Sequence, residues 1–243
     1  MKRFSVLNIG NTHTQIMYGI AGETVQQTQC RTYKTSEIPF GEFSDDIITI
    51  YSSVVPQITA EIKKYLPDAI ACIAENVPFI DFSDAPPTLG MDRIANCAAL
   101  TRMSNDGIII DAGTAITLEV VKNRKFIGGA ILPGTTILAK AMHDYTGALP
   151  LVECSTAPDL NNVQPQFLTV EAMKTGIQSA AVYGTLHLMS NFLQQLNENS
   201  PVYVCGGNRQ SILNQTTNIK LIDGGEDFTL QGLIAIAKYH ITI

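Results

Sequence analysis

A strand–loop–strand unit that occurs twice limits most strongly what this chain can fold into. "VLNIGNTHTQIMYGI", Val6 to Ile20, and "IIIDAGTAITLEVV", Ile108 to Val121, each read as two apolar strands joined by a tight glycine-containing loop. Setting Gly10 on Gly113 aligns the loops, places Thr14 on Thr117 and sets Asn8 against Asp111. A hairpin leading each half is a weak internal duplication, not a solenoid repeat. It points to an α/β chain of two similar domains, residues 1–105 and 106–243, with a ligand cleft between them.

The pattern around the hairpins agrees with that division. A third strand is expected over Thr24 to Tyr33, and short buried strands in "AIACIAEN", "SPVYVCGGN" and "IKLIDGG". Ile58, Ile62 and Leu66 recur at helical spacing in "PQITAEIKKYL". Further helices are expected in the Ala-rich "RIANCAALTRM", from Thr135, from Thr169 to Leu196, and in "DFTLQGLIAIAKYH", where Asp227 is placed to cap.

Composition excludes several partners. The 243 residues are 45% hydrophobic, enough for a packed core, and carry a net charge of −6 without any Lys/Arg-rich run. That balance argues against nucleic acid. No apolar run is long enough to span a bilayer, so no membrane partner is expected. Cys30, Cys72, Cys97, Cys154 and Cys205 are odd in number and contain no C-x-x-C pair. They form neither a disulfide framework nor a zinc spacing, and a reducing cytoplasm is the expected setting.

The loops have a phosphate logic. Asp111 ends an apolar strand, and Gly113 lets the backbone turn tightly and approach a ligand. Thr114 and Thr117 supply hydroxyls, and successive loop N–H groups can cradle an anion. A carboxylate beside such a cradle suits a cation, and hence a nucleotide phosphate with its metal. One such loop alone favours an ordinary hairpin; two of them favour a phosphate clamp. The turn "CGGN" adds Gly206 and Gly207, which either pack flat against a nucleoside or simply turn the chain. In "GMDRIAN", Asp92 and Arg93 open a helix after a Pro-rich loop. Arg93 can hold a polar substrate and Asp92 can take a hydroxyl proton; alternatively, Asp92 caps the helix and Arg93 pairs at the surface.

In sequence order, "NIGNT", "SSVVP", "GMDRIAN", "DAGTAIT", "GGAILPG", "LTVEAMKTGI", "VCGGN" and "FTLQGL" resemble the motifs of the type III pantothenate kinases, members of the actin/hexokinase/Hsp70 superfamily. The resemblance covers nearly the whole chain. It implies two actin-like (ribonuclease H-like) domains and ATP-dependent phosphorylation of pantothenate, the first step of coenzyme A synthesis. It implies Asp92 as general base, with Gly90, Met91, Arg93 and Thr169 lining the substrate pocket. Asn8, Gly10, Asn11, Thr12 and Gln15 would form the first phosphate loop. Thr114, Gly206 and Gly207 would touch ATP, and Asp111 would hold a monovalent cation, K⁺ or NH₄⁺, beside MgATP. It also implies a homodimer. The chain departs from the family pattern most at Asn8, where the family carries an aspartate expected to help hold magnesium, through water. Glu119 stands for an aspartate, Cys205 for a threonine and Leu168 for an asparagine, and Phe82 is the stand-in for an aromatic residue ahead of G-x-D-R. Asn8 leaves two alternatives beside the working kinase: a binding or regulatory paralogue, and a kinase of another small alcohol.

Overall fold

The computed structural model describes residues 2–22, 25–43, 47–197 and 199–242. Thr24, the first residue of the expected third strand, lies outside them. The chain forms two compact units: residues 1–103 with 124–126 and 228–243, and residues 104–123 with 127–227.

The first unit is built on a five-stranded sheet. Strands β1 (Lys2–Ile9), β2 (His13–Ala21) and β3 (Val25–Lys34) form an antiparallel meander, with β4 (Ile48–Ser53) and the short β5 (Ile70–Ala71) added in parallel on the other side of β1. The order is β3-β2-β1-β4-β5. Alternation along β1 and β4 sends Leu7, Ile9 and Tyr51 to one face, where they pack with Ile62 of α1 (Pro56–Tyr65). Helices α2 (Met91–Leu100) and α6 (Phe228–Thr242) also belong to this unit.

The second unit repeats the plan. Strands β6 (Gly107–Ala112), β7 (Ala115–Lys122), β8 (Lys125–Pro133), β9 (Val202–Cys205) and β10 (Leu221–Gly225) lie in the order β10-β9-β6-β7-β8. Read from the other edge, that is the order of the first sheet. β6 and β7 are antiparallel, while β9 is parallel to both β6 and β10. Ile108, Ile110, Leu118, Val202 and Val204 face Ala181, Met189 and Leu193 of the long helix α4 (Thr169–Leu193) in a continuous core. Helices α3 (Thr135–Asp144) and α5 (Gln210–Leu213) complete the unit. The β7–β8 turn is made by Asn123 and Arg124, both at positive φ, the geometry that matches hairpin twist.

Two findings refine the sequence reading. The expected second domain ran to residue 243, whereas α6 is grouped with the first unit. The reason lies at Gly232, where any Cβ would overlap the Ala95 carbonyl of α2. Glycine here and the alanines of α2 allow the two helix backbones to close on each other, and Thr229 Oγ1 donates to the buried Asn96 Oδ1 across the same crossing, at 2.8 Å. The second finding is a register. Asn8 lies opposite Gln15, and Asp111 opposite Thr117, because the first loop holds three residues and the second two. Thr14, expected to correspond to Thr117, instead pairs with Ile9 and points to the opposite face.

Among the described residues no helix is long and apolar enough to cross a membrane.

Candidate active site

In the first unit the polar ends of the strands form a row. Gln15, Asn8 and Ser52 are lateral neighbours across β2, β1 and β4, so their side chains share one face. Asn8 is half-buried, and its Nδ2 donates to Gln15 Oε1 at 3.4 Å. Past Ile9 the chain turns through Gly10, Asn11 and Thr12. The Gly10 N–H is already used by the His13 carbonyl, at 3.0 Å. Asn11 and Thr12 are exposed, and their N–H groups make no backbone hydrogen bond among the described residues. They are the donors this loop can offer an anion.

A residue outside the recognised motifs braces the loop. Thr35, just past β3, donates its N–H to Thr12 O at 3.0 Å and its hydroxyl to Gly10 O at 2.8 Å. Its Oγ1 also lies 3.1 Å from Thr14 Oγ1. Nothing local in the sequence marks Thr35, since its partners lie more than twenty residues away.

The helix start of the first unit carries the charged pair. Gly90 is the N-cap position of α2, and Asp92 sits in the first turn, where the helix dipole favours a carboxylate. Asp92 is therefore not the cap. Its Oδ1 instead accepts from the Arg93 N–H at 2.9 Å and folds back over Gly90, where a Cβ would come within 2.5 Å of it. Glycine two residues before the aspartate is the condition for that placement. The Arg93 guanidinium lies over the Phe126 ring, 5.8 Å from its centroid, and Phe126 packs in turn against Phe82. Met91, expected to line a substrate pocket, also packs on the Leu7–Ile9–Ile16 cluster. Its carbonyl accepts from Cys72 Sγ at 3.3 Å. Burial, and then the Asp92 charge, push the Cys72 thiol far above its ordinary value, so it stays protonated beside the helix start.

In the second unit the corresponding row reads Thr117, Asp111, Cys205. The loop Gly113–Thr114 is braced twice. Gly134, just past β8, donates its N–H to Thr114 O at 3.1 Å, the same device as Thr35 on the first loop. From the other side, Asn208 donates its N–H to Ala112 O at 2.8 Å and its Nδ2 to Gly113 O at 3.4 Å. The two glycines of "CGGN" differ. Gly206 has φ +87°, and a Cβ there would overlap the Asp111 carboxylate and the Ala112 carbonyl, whereas Gly207 faces open space. Glycine 206 is thus what lets the third turn touch the second loop. Arg209 fastens this turn to the end of β10 through Asp223 at 2.9 Å and Glu226 at 3.0 Å. Cys205 is buried, and burial with the nearby Asp111 and Glu119 charges raises its thiol well above the ordinary value. Thr169 is exposed and opens α4. Asn208, Gly134 and Thr35 act on the loops without having been singled out as candidates from the sequence.

Chemically, each unit offers a tight loop with oxygen-bearing side chains at its base and backbone donors at its tip. The first unit adds a helix-borne Asp–Arg pair. A profile of the type III pantothenate kinase family matches residues 6–192. A type III pantothenate kinase from Desulforapulum autotrophicum is 30% identical over 263 residues, covering 97% of this chain and 97% of that protein. One from Thermosipho melanesiensis is 28% identical over 230 residues, covering 88% and 91%. Among solved structures, a conserved putative Baf family transcriptional activator from Campylobacter jejuni matches with a TM-score of 0.66 at 22% identity, over 99% of this chain and 100% of that one. MreB5 of Spiroplasma citri bound to ADP matches with a TM-score of 0.51 at 11% identity, over 100% and 99%. At those identities the two structures show the actin-like fold alone.

Proposed function

This chain belongs to the type III pantothenate kinase family, and on that premise we propose that it transfers the γ-phosphoryl group of ATP to the hydroxyl of pantothenate, opening coenzyme A synthesis. The observation that carries the reading is the family match, together with the Asp92 carboxylate held over Gly90 at the first turn of α2.

Phosphoryl transfer asks little covalent chemistry of a protein; it asks for alignment and charge neutralisation. Asp92 accepts the proton of the pantothenate hydroxyl as its oxygen bonds to the γ-phosphorus, while the bond to the β–γ bridging oxygen breaks and ADP leaves. Arg93, its plane supported by Phe126, fixes a polar group of the substrate, with Gly90, Met91 and Thr169 as further substrate contacts. In the first unit the N–H groups of Asn11 and Thr12 and the side chains of Asn8 and Gln15 are assigned to the nucleotide phosphates; in the second, Thr114 is assigned to a phosphate and Gly206 and Gly207 to the nucleoside. The kinase family implies ATP with a divalent metal. Within the first unit, the amide oxygens of Asn8 and Gln15, with the orphaned hydroxyl of Ser52 beside Asn8, fit a hard cation that would keep much of its water and its nucleotide oxygens. A divalent metal held there would supply charge neutralisation on the phosphates. Asp111 is assigned to a monovalent cation, K⁺ or NH₄⁺. We further propose a homodimer in the cytoplasm; the five free thiols support a reducing compartment.

The direct test is ATP turnover with pantothenate in potassium and magnesium, compared with Asp92→Asn. The variant should lose about 10²-fold or more in kcat with nucleotide affinity unchanged. Normal turnover by Asp92→Asn would sink the base assignment, and no turnover by the wild type would sink the kinase reading.

A further inference from the structure

The row Gln15–Asn8–Ser52 contains one anomaly. Ser52 is 1% exposed, yet its Oγ makes no hydrogen bond among the described residues. Other hydroxyls of the same strand are satisfied: Thr49 bonds Ser5 at 2.8 Å, and Ser53 bonds Val55 and Thr59. Buried hydroxyls are almost always partnered, and an orphan costs stability. Ser52 is at one end of its sheet. It lies near the carboxyl ends of the parallel strands β1 and β4, the position at which open α/β sheets take their ligands. Its lateral neighbour Asn8 gives its Nδ2 to Gln15 on the β2 side, which leaves the amide's Oδ1 as an acceptor. Two neutral oxygens, one on a half-buried side chain and one orphaned, therefore share one face at the base of the first loop. The equivalent row of the second sheet carries a carboxylate, Asp111, at its centre; this row carries none.

We propose that Ser52 is a binding residue of the first loop: its hydroxyl and Asn8 Oδ1 together hold a water of the divalent cation that accompanies the nucleotide. A dication makes the protons of its waters strong donors, and both oxygens accept them without needing charge. The hydroxyl gains its missing partner and supplies part of the attraction that a carboxylate at position 8 would otherwise provide. The proposal rests on the ATP-with-metal reading above.

The test uses Mn²⁺ as a spin probe of the enzyme–ADP complex, with Ser52→Ala. Removing an orphan should leave the melting temperature of the free protein unchanged or raise it. Mn²⁺ affinity in the ADP complex should fall about 3- to 10-fold, the worth of one hydrogen bond, while ADP binding in EDTA stays the same. In an Asn8→Asp background the same substitution should cost less, because the carboxylate then dominates, so a double-mutant cycle gives a non-zero coupling. Unchanged Mn²⁺ affinity in Ser52→Ala overturns the proposal, as does an equal loss of metal-free ADP binding. A Ser52-dependent Mn²⁺ site in a wild type that does not phosphorylate pantothenate supports the proposal and removes the kinase reading, so the two fail separately.

Discussion

At the scale of single residues, Asn8 sets the energetics of the first loop. An amide keeps the shape of aspartate and one acceptor oxygen but removes a full charge. A charge ~4–5 Å from a dication is worth a few kcal/mol even at an effective dielectric near 20. Asn8→Asp should therefore raise kcat/KM for ATP by about 10²-fold, most visibly at limiting magnesium. The fold accommodates the change, because Gln15 can rotate its amide to present Nε2 to the new carboxylate. Robust wild-type turnover unaltered by the substitution would remove this account of Asn8. The Asn8–Asp111 asymmetry was legible from the sequence, since both residues stand near the ends of apolar strands, two places before a loop glycine. The correspondence of Thr14 with Thr117 was not. A one-residue difference in loop length slips the register, and in a strand each slip reverses the face.

At the scale of elements, two motifs separated by more than a hundred residues turn out to be one helix crossing. "GMDRIAN" and "FTLQGL" meet where Gly232 of α6 lies against Ala95 of α2, and where Thr229 bonds Asn96. Gly232→Ala would push a methyl into the Ala95 backbone, which cannot move aside as a side chain can. A loss of roughly 2–4 kcal/mol is expected, read as a lower urea midpoint at unchanged slope. A midpoint within error of the wild type would show that the helices are not held this closely. The same crossing seats Asp92 and Arg93 at the start of α2, so packing and chemistry share one helix. The loop braces are a second device at this scale. The residue just past the third strand of each sheet, Thr35 and Gly134, donates its N–H to a loop carbonyl. The sequence marks the loops by their glycines, but a brace is a contact between distant backbones and leaves no periodic trace.

At the scale of the whole molecule, the second unit exposes large apolar side chains where α4 begins. Phe167 is fully exposed and Leu168 is 69% exposed, directly before Thr169. Adjacent apolar residues left in water are what a partner surface covers, which supports the proposed homodimer. Light scattering should give a dimer mass for the wild type, and Phe167→Ser with Leu168→Ser should shift it to the monomer with the melting temperature little changed. A monomeric wild type at micromolar concentration would end the homodimer proposal.

The sequence by itself determined the duplicated hairpins, the helices with apolar spacing, the glycines at the turns and the family. These follow from local steric rules and from short-range periodicity, which a single chain displays openly. Only the tertiary structure decided which side chains share a row, that Thr35, Gly134 and Asn208 hold the loops, that α6 joins the first unit, and that Ser52 is buried with no hydrogen-bond partner among the described residues. Each of those depends on strand register or on backbones brought together from positions 20 to 137 residues apart. Local pattern carries no record of such distances, so packing had to supply them.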